Sequence, residues 1–374
     1  MFPFPRLPRT WRIACVGLLA SLATLETTTM TTVADEAPTR TFIYVSKAPE
    51  QQIEVFQLDV QTGGLTATST LTVNGSPGSL ATDPSRRFLF ASLRTTSSLA
   101  SYRIDPATGQ LTLVSSVSLP PGENAAFVGT DRSGRWLLSA SYAAGRVVVH
   151  RLTTDGQIES PAVQTIDTAK TAHCVAIDPT NQWAFVPHVA PNAVFQFRLD
   201  ANAGQLTRQT LAAGGRENAG PRHLAFHPRL PIAFTSDESG SSITSYRFDP
   251  ATGLAPWETL STLPSDFAGK NSTAEVKVHP SGSFVWVSNR GHDSLAMFAI
   301  DEQGRLTARG QTPTEKTPRS FEVDPSGHYL FGAGEGSGRL AVFRFDSQSG
   351  QATRLKTYDV GKSLSWVMAV ALSP

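Results

Sequence analysis

The stretch that decides the fold is Gly220-Pro221-Arg222-His223-Leu224-Ala225-Phe226-His227-Pro228, followed by Asp237-Glu238-Ser239. It is one copy of a unit in which an apolar run ends in Asp-Pro or a related pair, and a turn leads into an apolar, aromatic-containing strand. The copies are centred on Asp83, Asp131, Asp178, His227, His279 and Asp324. Successive copies are 48, 47, 49, 52 and 45 residues apart, a period that is typical of repeat architectures.

A second signature runs in step with the first. It consists of an alternating strand, an Asp and a Gly-containing turn that ends in Leu-Thr or a similar pair, as in residues 53–66. Six further copies lie at 102–112, 149–158, 195–207, 246–254, 297–307 and 342–353. Alternation of apolar and polar residues between Gly, Asp and Pro turns indicates antiparallel strands. About four strands per period predict an all-β fold, a seven-bladed β-propeller.

The two ends of the chain predict a closed ring. The first repeat begins at Thr41-Phe42-Ile43-Tyr44-Val45-Ser46, which corresponds to the second strand of a blade. The missing first strand is found at residues 365–374, where Ser373-Pro374 stands in the place of Asp-Pro. Pairing of the N- and C-terminal strands in one blade would remove two exposed sheet edges. We therefore expect one propeller domain at residues 41–374.

The N-terminus differs in kind from the repeats. Arg6, Arg9 and Arg12 precede an apolar run at 13–25, which is uncharged until Glu26. These are the features of a secretory signal, and the run is short for a transmembrane helix. With Thr32-Val33-Ala34 as a passable cleavage site, residues 1–34 are predicted to be a signal peptide. The protein is then periplasmic or secreted and free of the membrane after cleavage; a start codon placed too far upstream would leave it cytoplasmic.

Composition excludes several classes of function. The formal net charge is +1 and no basic run is present, which disfavours nucleic-acid binding. Beyond the signal only Cys174 remains, so no internal disulfide can form. The eight histidines show no recurring ligand spacing, and we predict no metal site. His227 and His279 stand in the Asp-Pro register and are predicted to be turn residues. We expect a monomer.

The register of the repeat points to a site on one rim of the central channel. In a propeller blade, the start of the first strand and the loop between the second and third strands lie on the same face. These positions are five residues before the Asp of each repeat and eleven after it. The first set is Gly78, Ala126, His173, Arg222, Ala274, Arg319 and Met368. The second set is Arg94, Tyr142, Val189, Glu238, Arg290, Glu335 and Ala48.

Three consecutive blades contribute His173, Arg222 with Glu238, and Arg290 to this rim. Converging arginines bind a carboxylate or phosphate and stabilise an oxyanion, while a glutamate and a histidine supply an acid and a base. Taken singly, His173 would be interpreted as a core histidine, and Arg222 with Glu238 as an ion pair within one blade. The convergence of four ionisable groups in adjacent blades favours a functional site.

Several motifs resemble those of the lactonase seven-bladed β-propeller family, which includes bacterial 6-phosphogluconolactonases and fungal carboxy-cis,cis-muconate cyclases. The motifs are Gly220-Pro221-Arg222-His223, Thr262-Leu263-Pro264, Ser288-Asn289-Arg290-Gly291-His292-Asp293-Ser294, Gln311-Thr312-Pro313-Thr314 and Asp324-Pro325-Ser326-Gly327. The similarity runs from Thr41 to the C-terminus. It implies that His173, Arg222, Glu238 and Arg290 are the catalytic residues. Additional substrate contacts are expected from Tyr142, His223, Asn289, His292 and Arg319.

The resemblance implies hydrolysis of a small-molecule sugar lactone, 6-phospho-D-glucono-1,5-lactone, to 6-phosphogluconate, a step of the pentose phosphate pathway type, with no cofactor. Either His173 or Glu238 could be the general base. The alternatives are a lactonase for unphosphorylated sugar lactones, a muconate-type cycloisomerase, and a non-enzymatic exported propeller that serves as a binding platform.

Overall fold

The computed structural model describes residues 39–373. These residues form 28 β-strands in seven four-stranded antiparallel sheets, with a single 3-10 turn at Arg94–Thr96. The predicted seven-bladed β-propeller is confirmed. The predicted signal peptide at residues 1–34 lies outside the described residues. Within the described range, no helix has the length and apolar character needed to cross a membrane.

The blades follow one another along the chain, and each strand pairs with the next. Blade 1 contains β1 (Arg40–Lys47), β2 (Gln52–Leu58) and β3 (Leu65–Thr72). Blade 2 contains β4 (Pro77–Thr82), β5 (Phe88–Leu93), β6 (Ser98–Ile104) and β7 (Leu111–Ser118). Blade 3 contains β8 (Ala125–Thr130), β9 (Trp136–Ser141), β10 (Arg146–Arg151) and β11 (Gln164–Asp167). Blade 4 contains β12 (Ala176–Ile177), β13 (Trp183–His188), β14 (Ala193–Asp200) and β15 (Gln205–Ala213).

The remaining blades repeat the pattern. Blade 5 contains β16 (Pro221–Phe226), β17 (Ile232–Asp237), β18 (Ser242–Asp249) and β19 (Gly253–Ser261). Blade 6 contains β20 (Ser272–Val278), β21 (Phe284–Arg290), β22 (Ser294–Ile300) and β23 (Leu306–Pro313). Blade 7 contains β24 (Pro318–Val323), β25 (Tyr329–Gly334), β26 (Arg339–Asp346) and β27 (Gln351–Asp359). The last strand, β28 (Leu364–Leu372), returns to blade 1.

Ring closure is the pairing of β28 with β1. The two strands run antiparallel from Arg40 opposite Leu372 to Lys47 opposite Leu364, with Tyr44 opposite Met368. Blade 1 is therefore completed by both ends of the described chain, as the sequence predicts. Because closure pairs the edge of β1, it removes an edge that could pair with another molecule.

The hydrophobic core is divided among the seven junctions between neighbouring blades. One cluster of buried side chains fills each junction. Between blades 4 and 5, for example, Trp183, Phe185 and Tyr246 are 2% exposed or less. Burial of a large apolar side chain contributes roughly 1.5–3 kcal/mol. The junctions therefore fix the inner strands, on which the candidate site is built.

The Asp of each Asp-Pro turn fixes the start of the next strand. The carboxylate of Asp178 is completely buried, and it accepts hydrogen bonds from the backbone amides of Thr180, Gln182 and Trp183, each at 2.7 Å. At His227 an imidazole takes this place: its Nδ1 accepts from the Leu230 amide at 2.7 Å. The ring of His227 also contacts the next blade, since Nε2 lies 2.9 Å from Gly282 O. The prediction that His227 is a turn residue is confirmed, and His279 makes the corresponding contact with Gly327 O, also at 2.9 Å.

Blade 3 differs from the repeat pattern at its outer strand. The signature at residues 149–158 places that strand directly after the turn, but the structure has only an isolated bridge between Leu152 and Ile158 there. The outer strand β11 begins later, at Gln164. Pro161 lies between the two, and a proline cannot donate a hydrogen bond to a sheet ladder.

The inner strands carry β-bulges near one rim of the channel. In blade 5 the register of β16 against β17 shifts between Pro221 and His223, so Arg222 is the extra residue. The corresponding shift in blade 7 lies between Pro318 and Ser320, which makes Arg319 the extra residue. A bulge re-aims the side chains beside it, and bulges are common next to active sites. Here it lets both Arg222 and His223 take part in the same group of contacts.

Candidate active site

Two arginines converge on one carboxylate at the rim. Glu238 follows β17 directly, and its Oε2 lies 3.0 Å from Arg222 Nε, although that N–H is not aimed at the oxygen. Its Oε1 lies 3.3 Å from Nη2 of Arg290, the last residue of β21. The predicted meeting of these three residues, which come from blades 5 and 6, is therefore seen in the structure. Both carboxylate oxygens face a positive charge.

The arginines are held by backbone carbonyls of the inner strand of blade 6. Arg222 Nη1 donates to Ala274 O at 2.7 Å, and Arg290 Nη2 donates to Thr273 O at 2.8 Å. Arg222 is 1% exposed, while the side chain of Arg290 is 14% exposed. Hydrogen bonds to neutral carbonyls orient the two guanidinium groups without neutralising them, and the single carboxylate of Glu238 leaves a positive charge in excess for an anion.

His173 belongs to a chain of three buried side chains. Its Nδ1 lies 3.1 Å from His223 Nε2, and His223 Nδ1 lies 2.8 Å from Glu275 Oε1. Arg222 Nη1 is also 3.2 Å from His223 Nε2, which connects this chain to the arginine group. Tyr142 packs edge-on against the His173 ring, with 5.5 Å between ring centroids. The structure thus brings all four predicted catalytic residues into one connected cluster.

Burial and positive neighbours set the protonation states in the cluster. Burial, followed by the charge of Arg222, lowers the pKa of His173 well below its usual value. Burial also lowers the pKa of His223 to about 4, against the opposing effect of Glu275. Burial lowers the pKa of Arg222 to about 9, with Arg319 and Arg290 adding to the effect. At neutral pH both imidazoles are therefore neutral and can accept a proton, while Arg222 remains charged.

The predicted substrate contacts separate into two groups. Tyr142 and Arg319 lie near the cluster. Tyr142 packs against His173, and the charge of Arg319 acts on both side chains. Arg319 is also 3.9 Å from Glu335, the ion pair that the register implies. Asn289 and His292 belong to a different hydrogen-bonded group.

That second group stabilises the loop after β21. Asn289 is completely buried; its Oδ1 accepts from Thr262 Oγ1 at 2.7 Å, and its Nδ2 donates to Ser294 Oγ at 3.2 Å. The ring of His292 lies 2.7 Å from the same Ser294 Oγ, and its amide donates to Asn271 Oδ1. The amide of Asn289 is occupied by these structural bonds.

His223 is placed differently from its predicted role as a substrate contact. It is 2% exposed, and both of its ring nitrogens are engaged by His173, Arg222 and Glu275. His223 follows the rim residue Arg222, and the bulge at Arg222 turns the His223 side chain deeper into the channel.

Three charged residues of the channel, of which Glu275 is buried and the other two are partly buried, escaped the sequence analysis. Glu275, Lys277 and Glu322 line the channel beneath the rim, and Lys277 Nζ lies 3.0 Å from Glu322 Oε2. Together with His223 they border a cavity of about 230 Å³. The sequence contains a signal for them. Glu275 stands four positions before His279, where other repeats have Ser79 or Phe127. Lys277 and Glu322 stand two positions before His279 and Asp324, where other repeats have Ala81 or Ala176. Charged residues on an inner strand of this kind have to be paired.

Several known proteins resemble this chain in sequence. The family described as "Lactonase, 7-bladed beta-propeller" matches residues 42–369. A 6-phosphogluconolactonase of Yersinia pestis is 36% identical over 332 residues, which is 87% of this chain and 96% of that protein. A 6-phosphogluconolactonase of Pectobacterium atrosepticum is 35% identical over 337 residues, 88% of this chain and 98% of that one.

Solved structures give the same fold. The periplasmic gluconolactonase PpgL of Pseudomonas aeruginosa superposes with a TM-score of 0.83 at 25% identity, covering 90% of this chain and 100% of that one. A protein of Lactobacillus plantarum superposes with a TM-score of 0.81 at 25% identity, covering 89% and 100% of the two chains. Among residues 39–373, no group of three or more His, Cys, Asp or Glu side chains is arranged to hold a metal ion.

Proposed function

The chain belongs to the seven-bladed β-propeller lactonase family, and we propose that it hydrolyses 6-phospho-D-glucono-1,5-lactone to 6-phosphogluconate. The observation that carries this proposal is the convergence of His173, Arg222, Glu238 and Arg290 on one rim. The relatives at 35–36% identity, which cover nearly the whole propeller, are lactone hydrolases of this specificity by name. We propose that the partner is a small sugar lactone, that no nucleic acid is bound and that the enzyme is a monomer.

The cluster contains the groups that lactone hydrolysis needs. Water must lose a proton as it attacks the carbonyl carbon, and the ring oxygen must gain one as the C–O bond breaks. The neutral imidazole of His173 and the carboxylate of Glu238 are the proton carriers at hand. Arg222 and Arg290 present fixed positive charge to the anionic end of the substrate and to the oxyanion of the tetrahedral intermediate. This scheme uses no cofactor.

Unphosphorylated sugar lactones are the second candidate substrates. The similarity to the periplasmic gluconolactonase of P. aeruginosa favours them, because that protein is named for a plain lactone. Arginines suit a phosphate and a nascent carboxylate equally well. The comparison of the two lactones therefore decides the substrate class.

The test measures acid release from both lactones by the purified protein, above their spontaneous hydrolysis. We expect kcat/KM to be higher for the 6-phosphate than for glucono-1,5-lactone. His173→Ala should lower kcat by about 10²-fold or more, as is typical for loss of a general acid or base. The matched control is Cys174→Ser at the next, equally buried position, where burial raises the thiol pKa to about 12 and leaves no thiolate. It should retain activity.

The outcomes separate the alternatives. Faster turnover of the plain lactone would replace the phosphorylated substrate with an unphosphorylated one. A protein that folds but accelerates neither reaction, with no effect of His173→Ala, would exclude a lactonase of either kind. Isomerisation of a muconate lactone without hydrolysis would identify a cycloisomerase, and ligand binding without turnover would identify a binding platform.

We propose in addition that residues 1–34 direct export and that the propeller acts outside the cytoplasm. The support is the arginine-flanked apolar run at 13–25 and the periplasmic location in the name of the P. aeruginosa protein. Protein purified from its native cells should begin near residue 35, and mass spectrometry of its N-terminus checks this. Recovery of the protein with Arg6, Arg9 and Arg12 still attached would refute the proposal.

A further inference from the structure

We infer that Glu275, acting through His223, is a positioning residue that fixes the ring tautomer of His173 and makes His173 Nε2 the proton acceptor of the reaction. The inference rests on the proposed function and deepens it, because it decides between His173 and Glu238 as the general base. It is carried by three distances: Glu275 to His223, His223 to His173, and Arg222 to His223.

The proton positions follow from what each partner can do. A carboxylate only accepts hydrogen bonds, so His223 Nδ1, 2.8 Å from Glu275 Oε1, carries the hydrogen. A guanidinium only donates, so His223 Nε2, 3.2 Å from Arg222 Nη1, holds the lone pair. His173 Nδ1 lies 3.1 Å from that same nitrogen and must be the donor. The lone pair of His173 is therefore on Nε2, which has no hydrogen-bond partner among residues 39–373.

The ionisation of the group supports this direction. Burial by itself would raise the pKa of Glu275, but the neighbouring His223 and Lys277 lower it to about 2, so Glu275 is a carboxylate at neutral pH. Glu275 is also fixed in place, because its Oε1 accepts from the Val276 amide at 3.2 Å. A buried carboxylate with one imidazole partner selects the tautomer of that imidazole.

Glu238 lacks the freedom that His173 has. Each of its carboxylate oxygens lies within 3.3 Å of an arginine nitrogen, so both oxygens already face a guanidinium group. Its position suits the orientation of Arg222 and Arg290 toward the substrate. We therefore assign proton transfer to His173 and arginine orientation to Glu238.

The reaction then balances with one proton carrier. A water molecule gives a proton to His173 Nε2 while its oxygen bonds to the carbonyl carbon of the lactone, and the carbonyl oxygen becomes an oxyanion beside the arginines. Collapse of this intermediate breaks the bond between that carbon and the ring oxygen. The leaving alkoxide takes the proton back from His173 Nε2, and the new carboxylic acid ionises to release one proton to solvent.

The test compares Glu275→Gln with a matched control, Glu322→Gln. Both changes remove one channel carboxylate isosterically, but Glu322 pairs with Lys277 and makes no hydrogen bond to either histidine among the described residues. Glu275→Gln should lower kcat by about 10-fold or more. In a serine protease, loss of the carboxylate that holds the catalytic histidine tautomer costs as much as ~10⁴. Glu322→Gln should leave kcat nearly unchanged.

The pH profile supplies a readout that a merely structural role would not move. The charged groups that act on the two histidines are Glu275, Arg222, Arg319 and Lys277, while Glu322 and Cys174 face Lys277, and Tyr142 packs against His173 and faces Glu238. Loss of the Glu275 charge destabilises the imidazolium of His173, so the acidic limb of kcat/KM should shift to lower pH in Glu275→Gln alone. Equal effects of the two variants on kcat and on this limb would overturn the inference.

The tautomer can also be read without turnover. Nitrogen NMR of the histidine rings, assigned with His173→Ala and His223→Ala, should show Nδ1 protonated and Nε2 unprotonated in both rings. Glu275→Gln should mix the tautomers, since an amide can donate as well as accept. Protonation of His173 at Nε2 in the unmodified protein would contradict the inference. If the protein hydrolyses no lactone, the proposed function fails and this measurement still tests the tautomer.

Discussion

Arg222 and Arg290 approach the same carboxylate but are anchored differently. Arg222 is 1% exposed and donates to Ala274 O beside His223 Nε2, whereas Arg290 keeps more of its side chain in solvent and donates to Thr273 O. The first is part of the packed wall of the channel as well as of the site. The second is partly exposed at the rim, where a substrate can reach it.

We expect different consequences when each arginine is removed. Arg290→Ala should raise KM and lower kcat/KM by about 10-fold or more while the melting temperature stays unchanged, because a charged contact in the ground and transition states is lost. Arg222→Ala should have at least this kinetic effect and also destabilise the protein by about 1–3 kcal/mol, since buried hydrogen bonds are broken. Steady-state kinetics and thermal melts check both.

The control for these variants is Arg151→Ala, which removes an exposed arginine 3.9 Å from Glu159, away from the rim. Exposed ion pairs contribute little to stability, so KM and the melting temperature should both stay unchanged. If Arg290→Ala leaves KM at its original value, the arginine does not bind the substrate.

At the level of residues, the sequence predicts the rim better than the channel beneath it. His173, Arg222, Glu238 and Arg290 stand at fixed distances from the repeat Asp, so their convergence could be expected from register alone. Glu275 stands as far before His279 as His223 stands before His227, so its charge could be noticed in the sequence, but its contact with His223 could not be expected, because bulges interrupt both β16 and β20. A bulge of this kind has no reliable signal in one sequence.

At the level of elements, the hydrogen bonds of the turns explain why the repeats can be recognised in the sequence. The buried Asp178 satisfies three backbone amides that would otherwise be unpaired where β13 begins, and His227 reproduces part of this with one ring nitrogen. A position that must accept such bonds tolerates few residue types, and the repeat is therefore visible in a single sequence. The late start of β11 in blade 3 escaped prediction because the local signature is still present as an isolated bridge.

At the level of the whole molecule, stability depends on closure of the ring. Deletion of residues 366–374 removes the buried side chains of Trp366, Val367, Met368, Val370 and Leu372 from two blade junctions. Their burial represents on the order of 10 kcal/mol, comparable with the typical net stability of a folded protein, ~5–15 kcal/mol. We expect the truncated protein to lose its cooperative melt altogether.

Circular dichroism melts check this prediction, with removal of residues 373–374 alone as the control, since the ladder between β28 and β1 ends at Leu372. An unchanged melting temperature in the longer deletion would show that blade 1 holds without its innermost strand.

The pairing of Tyr44 with Met368 also determines the order of events during synthesis. A ribosome makes the chain from the N-terminus, so β1 is made before blades 2 to 7, and its partner β28 only after them. Blades 2 to 7 are each continuous in sequence and can form one after another as the chain lengthens. Blade 1 cannot, because its innermost strand is still unmade or still inside the exit tunnel. Ring closure therefore comes after the synthesis of all six other blades.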